Sequence, residues 1–500
     1  MTGTPPASGA PVQEAMGPLL SPERLGSWTW ALGYTALLST LAMLRYRLLL
    51  ATGFDLGLYE QGLWLLLHRG LAAATSYTGA PILARDASWL LLPLAPLYAV
   101  GGTGLLLVLQ SAALGSGYLL LRRIARACGA PPGRAHLVAA LYLLYPALLG
   151  ANLFDFHPEA LLVPELLGAL AAALEGRRGA FVLLCILALA TSDQAALPLL
   201  VLGPVLLLSG RPFEGAVSAL VAAGGAFLDG HVLLPAAAGV ALSARALLGA
   251  GLWHAARSGA LLQALHVRRV WEYGAVLLGP LVLPVVAGRP RRLGLWALPG
   301  LAVVAANVAA GTAAATSPFD PTTLAAVPFL FMACAASQSG VAAPGTSGQA
   351  APGEPPAAGP PRPHVLSVLA TVVALCAALG AVGHEALLAK AALPRNATSV
   401  RAALALVPPG APVLAQNFVL PQVSNRARAI PTDRTAGTLR AGTLVLLDTS
   451  PGPDPVPAAL TAALGQGGPA PRPKVLYDQG GVILEELRQP LTLPPAGPSH

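Results

Sequence analysis

The stretch "GLLLVLQSAALGSGYLLL" (Gly104–Leu121) carries no charged side chain, and runs of this kind recur along the chain between short basic loops. A helix of about 20 apolar residues is what crosses a hydrocarbon core, because a helix satisfies its own backbone inside lipid. The recurrence limits the chain to a polytopic helical membrane protein. Composition agrees: of 500 residues, 55% are hydrophobic and 10% charged, where a soluble domain carries roughly 25% charge. The net charge of +8 would suit nucleic acid, but the basic residues fall in short clusters between apolar runs, the pattern of cytoplasmic loops. Nucleic acid is therefore excluded as a partner. Cys128, Cys185, Cys334 and Cys376 lie in or beside apolar segments at no metal-ligand spacing, and read as small core residues. No P-loop, GxSxG, HExxH or CxxC pattern occurs, so neither a nucleotide-driven pump nor a standard hydrolase is supported.

Spans are expected near Trp28–Leu44, Gly104–Leu121, His136–Ala151, Ala160–Leu174, Ala180–Ala190, Ala195–Leu208, Ala216–Leu228, Val270–Ala287, Leu293–Ala310, Leu324–Ala336 and Val365–Val382. That is about eleven crossings. The short, proline-containing run Ser88–Val100 decides the topology. Read as an interfacial or re-entrant helix, it makes "RRIARACGAPPGR" (Arg122–Arg134), "EGRRG" (Glu175–Gly179), "GRPF" (Gly210–Phe213) and "GRPRR" (Gly288–Arg292) all cytoplasmic, as the positive-inside rule asks. Arg45, Arg47, Arg69, Arg85, Arg268 and Arg269 then fall outside, so the charge bias is incomplete.

The domain organisation that follows has a cytoplasmic tail at 1–26 and a transmembrane domain at 27–336 with its first external loop at 45–103. A Pro/Ala/Gly-rich cytoplasmic linker takes 337–363, a last span 364–389, an external α/β domain 390–488 and a loose tail 489–500. Nothing before Ser27 resembles a cleaved signal, so the first span is expected to be retained in the cell inner membrane. In the C-terminal domain "SVRAALALV" and "VPAALTAAL" read as helices, "APVLAQNF" and "GTLVLLDT" as buried strands, and "KVLYDQGGVILEEL" as a hairpin turning at Gly480-Gly481.

With this topology the acidic motifs "FDLGLYEQ" (Phe54–Gln61), "FDFHPEA" (Phe154–Ala160), "TSDQ" (Thr191–Gln194) and "SPFDPTT" (Ser317–Thr323) sit at outer span ends. There they avoid most of the roughly 2.5–3.5 kcal/mol that a carboxylate costs at the bilayer centre, and they can share one cavity. Asp55 reads either as a general base or as the N-cap of a helix Leu56–His68. Glu60 reads as a first-turn carboxylate or a substrate-binding group. Pro158 suits the first turn of a helix, which explains Asp155 and Glu159 structurally but leaves His157 over, an imidazole able to pair with a phosphate or ligate a cation. Asp193 and Gln194 either break a helix pair or line the cavity, and Asp320 reads as a turn residue.

"FDLGLYEQGLW", "LAPLYAV…LLLVLQSAALGSGYLLLRRIAR", "YLLYPALLGANLFDFHPEALLVP" and "VLAQNFVLPQVSNRARAIP…GTLVLLDTS" resemble the bacterial integral membrane family catalogued as domain of unknown function 2079, over Arg45 to about Asp448. That family is similar in layout to glycosyltransferase-C enzymes, which take sugars from polyprenyl-phosphate donors. The resemblance implies a glycosyltransferase-C-like fold, Asp55 as the catalytic carboxylate of the first external loop, and Ser88–Val100 as a juxtamembrane helix. The leading reading is then a lipid-linked glycosyltransferase in which Asp155, His157, Glu159 and Asp193 bind the donor's phosphate directly or through a hard divalent cation, with Glu60 a further substrate- or cation-binding candidate. The metal is left unspecified. This chain departs from the family at Arg85–Trp89, where a His-Phe pair is usual, at Asp193-Gln194, where a Glu-Asp pair is usual, and near Phe319-Asp320, where a His-Tyr pair is expected. A lipid or polyprenyl-conjugate transporter or flippase, and a membrane scaffold whose external domain binds a partner, are the other readings of the same residues.

Overall fold

The computed structural model describes residues 22–238, 267–288, 294–338, 372–373, 375–380, 382–383, 396–434, 437–450, 454–465 and 472–493. Of the expected linker at 337–363 only Ser337, which ends a helix, and the buried Gln338 are described; the rest of it, most of the last span at 364–389 and most of both termini lie outside the described residues. The first part of the chain is a bundle of α1 (Pro22–Arg47), α2 (Leu58–His68), α3 (Leu91–Ala127), α4 (Pro132–Leu143), α5 (Pro146–Phe154), α6 (Glu159–Leu174), α7 (Arg178–Thr191), α8 (Ala196–Leu208), α9 (Pro212–Leu228), α10 (Arg268–Ala287), α11 (Leu298–Ala310) and α12 (Val327–Ser337). Its core takes Leu114, Tyr118 and Leu121 from α3, Leu162, Leu166 and Leu170 from α6, and Phe329 and Phe331 from α12. Small residues let the helices close: a Cβ at Gly115 would stand 2.9 Å from the Ala31 carbonyl of α1.

Among the described residues, fewer helices have the length and hydropathy of a membrane span than the apolar runs suggest. Among the described residues three are long and apolar enough to cross a membrane alone, Leu91–Ala127, Pro212–Ala237 and Arg268–Val286, and the bent pair Pro132–Leu143 with Pro146–Phe154 makes a fourth. Arg178–Thr191, Asp193–Leu208, Leu295–Ala310 and Val327–Ser337 are apolar but short. The count of about eleven is not confirmed among the described residues, and the helices are interrupted locally. Pro146 holds Tyr145 extended and breaks α4 from α5, and the 3-10 turn Asp193–Ala195 separates α7 from α8. Helix α3 is itself kinked at Gly102 (φ 59°, ψ −158°), a conformation that favours glycine. The kink sets an arm at 91–101, part of the Ser88–Val100 run, apart from the longer arm at 103–127.

The two ends of the bundle differ in chemistry. At one end the basic loops meet: Arg123 pairs with Glu175, Arg178 Nε lies 4.0 Å from Glu214 Oε1, and Arg211 donates to the carbonyls of Ala173 and Leu174. At the other end the first loop meets the break between α5 and α6, and a small α/β unit covers it. That unit comprises α13 (Ala397–Ala405), β1 (Val413–Ala415), β2 (Ala429–Pro431), β3 (Gly437–Leu439), β4 (Leu444–Asp448), α14 (Ala458–Gly465), β5 (Lys474–Gln479), β6 (Val482–Glu486) and β7 (Leu491–Leu493). Its main sheet has the order β2-β1-β4-β6-β5, with β2, β1 and β4 parallel and the β5–β6 hairpin antiparallel; β3 pairs with β7.

The two-residue period of the strands gives this sheet two apolar faces. Leu414, Val445 and Leu447 face Leu460 of α14. Val413, Ala415, Leu444 and Leu446 share a core with Leu56, Leu58 and Tyr59 of the first loop and α2. The sheet therefore continues the bundle's packing, and burying its inner face is worth roughly 1.5–3 kcal/mol for each large apolar side chain that leaves water.

The charge pattern predicts that the basic end faces the cytoplasm. Thr438 is exposed on the α/β unit and Gly133 is exposed at the basic end. In a cysteine-free background, Thr438→Cys should react with an impermeant maleimide on intact cells, and Gly133→Cys only after permeabilisation. The opposite result inverts the topology.

Candidate functional site

After α1 the chain enters a π-helical turn, Gly53–Gly57, in which the Gly57 amide donates to the Thr52 carbonyl at 3.2 Å, and this turn runs into α2. Such turns are rare and concentrate at functional sites. Asp55 lies in it and does not act as a helix cap. Its Oδ1 accepts from His157 Nε2 at 3.1 Å and its Oδ2 accepts from the Thr52 hydroxyl at 2.8 Å. The "FDLG" and "FDFHPEA" motifs, 102 residues apart, thus meet through one carboxylate. Asp55 keeps 19% of its side-chain surface and His157 6%, so the carboxylate is the reachable member of the pair.

Asp155 follows α5 in extended conformation. It turns back to the same threonine: Oδ2 accepts from the Thr52 amide at 2.8 Å and lies 2.9 Å from its hydroxyl. One threonine hydroxyl carries one proton and here touches two carboxylates. The arrangement is satisfied when Asp155 is protonated and donates to Thr52 Oγ1, which donates onward to Asp55. Burial first and the Asp55 charge second raise the Asp155 carboxyl to about 7, consistent with that protonation. Burial pushes Asp55 upward too, but its hydrogen bond to His157, the imidazolium charge, Thr52 and Arg85 outweigh it and leave the carboxyl below its ordinary value. Burial lowers His157, yet the Asp55 hydrogen bond and charge, with Glu159, raise it to about 9. The pair is therefore an ion pair at neutral pH.

The loop that carries Asp155 and His157 is held by Gln110 of α3. Its Nε2 donates to the carbonyls of Ala151, Asn152 and Asp155 at 3.2, 3.3 and 2.9 Å, and its Oε1 accepts the His157 amide at 2.8 Å. The imidazole stands edge-on to Tyr59 and stacks on Phe154. Arg85 lies over the Tyr59 ring, 5.6 Å from its centroid, and donates to the Phe54 carbonyl at 3.2 Å. Gln110 and Thr52 were not singled out from the sequence. Gln110 had a signal, as an amide inside a long apolar run; Thr52 had none.

The remaining candidates divide. Glu159 accepts from Ser192 Oγ at 3.3 Å and from Gln194 Nε2 at 3.2 Å, so the "TSDQ" turn reaches the pair through Glu159. Asp193 lies in that turn, and the reaching amide is its neighbour's. Glu60 is buried one helical turn beyond Asp55, takes the Thr103 hydroxyl on Oε1, and is raised to about 8 chiefly by burial. Asp320 caps the 3-10 turn Pro321–Thr323 through the Thr322 amide at 3.0 Å, as a turn residue does. Among the described residues no group of three His, Cys, Asp or Glu side chains is disposed to hold a metal ion. Asp55 Oδ1 is turned on His157 Nε2, and Asp55 Oδ2 and Asp155 Oδ2 on Thr52, so as arranged these atoms do not form a divalent-cation site.

A helical bundle with a paired carboxylate and imidazole at one end, covered by an α/β unit, defines a membrane protein with a built polar site. The chain belongs to the family described as predicted membrane protein (DUF2079), which it matches over residues 45–451. It matches no curated protein. Among solved structures it is similar to the crystal structure of ArnT from Cupriavidus metallidurans bound to undecaprenyl phosphate, with 14% identity over 91% of this chain and 98% of that one, at a TM-score of 0.47. A likeness that loose carries no argument about ligand or residue roles.

The ion pair sets a pH window. His157 is raised in the folded protein, so its contribution is complete below its ordinary value of 6.5 and is lost as pH rises through about 9. Asp55 is depressed, so its contribution is present above 3.8 and is lost as pH falls through its lower folded value. Thermal unfolding of the detergent-solubilised protein should show a melting temperature that drops above pH about 9. His157→Gln, which still donates a hydrogen bond but does not titrate, should lose that drop; an unchanged drop would place its origin elsewhere.

Proposed function

We propose that this chain is a lipid-linked glycosyltransferase that uses a polyprenyl-phosphate sugar at the external membrane face, with Asp55 as the carboxylate that receives the acceptor's proton. The observation that carries the reading is the joining of Asp55, Thr52 and Asp155 into one hydrogen-bonded line, with His157 holding the near end. In the transfer an acceptor hydroxyl oxygen forms a bond to the anomeric carbon, the bond from that carbon to the lipid phosphate breaks, and the phosphate leaves with the electron pair. The hydroxyl proton passes to Asp55. A carboxylate with a depressed pKa is a weak final resting place for a proton, whereas Asp155 at about 7 is a good one. Thr52 Oγ1, within 2.9 Å of both, connects them.

An amphiphilic donor suits the surroundings. Arg85 is exposed beside Asp55 and has a planar guanidinium matched to a phosphate. The arm at 91–101 exposes Leu97 and Val100, an apolar flank for a lipid chain, next to Tyr98 whose phenol lies in the field of Glu60. Glu159, which accepts a hydrogen bond from Gln194, adds a negative charge to the surroundings of His157.

Asp55→Asn should retain expression and membrane insertion while product formation falls about a hundredfold to ten-thousandfold, the usual range for general-base catalysis. The assay is the glycolipid and cell-envelope profile of a deletion strain carrying each allele. Full restoration by Asp55→Asn sinks the reading. Dependence on Asp55 without any covalent sugar product would instead indicate transport.

The relay has its own signature. Turnover should rise as pH climbs through about 7, where Asp155 loses its proton, and fall through about 9, where His157 loses its own. Thr52→Val keeps the shape and the amide bond to Asp155 but removes the hydroxyl. It should lower kcat about tenfold or more and abolish the limb near pH 7. A Thr52→Val enzyme with the wild-type profile excludes the relay.

A further inference from the structure

The π-turn that holds Asp55 leaves its leading amides without partners inside the helix, as any helix start does. Their partner comes from the C-terminal unit. Asn417 Oδ1 accepts the Gly53 amide at 2.8 Å and the Phe54 amide at 3.2 Å, and the Gly53 amide also lies 2.8 Å from the Asn417 carbonyl. Asn417 is itself fixed at the carboxyl end of β1. Gln416 beside it accepts the Asp448 amide at 2.7 Å and donates to the Asp448 carbonyl at 3.1 Å, which ties it to the end of the parallel neighbour β4, and Phe418 donates to Asp454 Oδ2 at 3.3 Å. The crevice beyond the carboxyl ends of parallel strands is where open α/β sheets take their ligands. Here that place is filled by the loop that carries Asp55.

A second contact lies at the other end of the same turn. Tyr77 and Ser424 share a hydrogen bond of 2.6 Å, buried against Gly57, where an added Cβ would stand 2.5 Å from the Tyr77 hydroxyl and 2.8 Å from Ser424 Oγ. Leu420 closes on Gly53 in the same way, 3.0 Å from where a Cβ would be. Gly53 is thus required by the approach of the C-terminal unit, and Gly57 by the Tyr77–Ser424 pair through which that unit meets the first loop.

We propose that the C-terminal α/β unit acts as a clamp on the π-turn, with Asn417 as a positioning residue that sets where the Asp55 carboxylate stands. This rests on the transferase reading for its consequence in activity, but the clamp itself is physical and is read without a substrate. Amide exchange by mass spectrometry on the full-length protein in detergent should show the Phe54 amide exchanging at least tenfold faster in Asn417→Ala than in wild type, with peptides of α6 unchanged as the control for folding. Asp55→Asn should keep wild-type protection at Phe54. Unchanged exchange in Asn417→Ala overturns the clamp. In the deletion strain, Gly57→Ala should lose at least tenfold of product. Adding Tyr77→Phe and Ser424→Ala, which remove the two hydroxyls and leave the Tyr77 Cζ at 3.3 Å as the tightest of the three contacts, should restore most of it. A Gly57→Ala defect that the double change does not relieve also overturns the clamp. Complementation by Asp55→Asn would defeat the transferase reading while the exchange result still stood.

Discussion

Everything at the polar end of this molecule answers to one constraint: carboxylates have been brought among apolar side chains, where an unpaired charge is expensive. Asp55 is held ionised by His157, and Asp155 escapes the same cost through a proton of its own. Thr52 joins the two solutions, since its one hydroxyl serves the charged carboxylate and the neutral one together. The break between α5 and α6 and the π-turn after α1 are the backbone consequences. Asp155 follows the end of α5 in extended conformation, which lets it turn back to Thr52.

The second layer of the arrangement is mechanical. The inner face of the C-terminal sheet shares its core with the first loop, so the unit cannot lift away without exposing Val413, Ala415, Leu444 and Leu446 along with Leu56 and Leu58. Gln422 donates to the Tyr46 carbonyl at 3.0 Å and Arg401 to the Arg47 carbonyl at 2.7 Å, which fastens the end of α1 to the same unit. A carboxylate on a loop would ordinarily be free to wander. This one is held from the bundle by His157 and Thr52 and from the sheet by Asn417.

Much of this was legible in the sequence, and the part that was not has a physical reason. The α/β unit was readable because its strands alternate between two apolar faces and its hairpin turns at Gly480-Gly481, both local signals. "FDFHPEA" gave up His157 because an imidazole was the one residue that helix capping did not explain. Thr52 and Asn417 were not legible, since their roles come from partners 103 and 364 residues away and their own neighbourhoods are unremarkable. The count of about eleven spans is not confirmed among the described residues, because hydropathy records how apolar a run is and not how long its helix continues: Val327–Ser337 is apolar but short.

Phe319 and Arg85 contribute to the polar end in two physically different ways. Phe319 is a packing residue: it lies against Gly150, at a spot where any Cβ on that helix would collide with its ring, and so fixes the "SPFDPTT" loop to the helix that ends in Asp155. Arg85 is electrostatic. Its guanidinium places a charge that does not vary with pH beside Asp55, and it lowers the pKa of both Asp55 and His157. The ionised state of Asp55 is thereby supported by two cations of different character, one buried and titrating near 9, the other exposed and permanent. Below about pH 7 it is therefore the supply of a proton acceptor at Asp155, rather than the charge on Asp55, that pH controls.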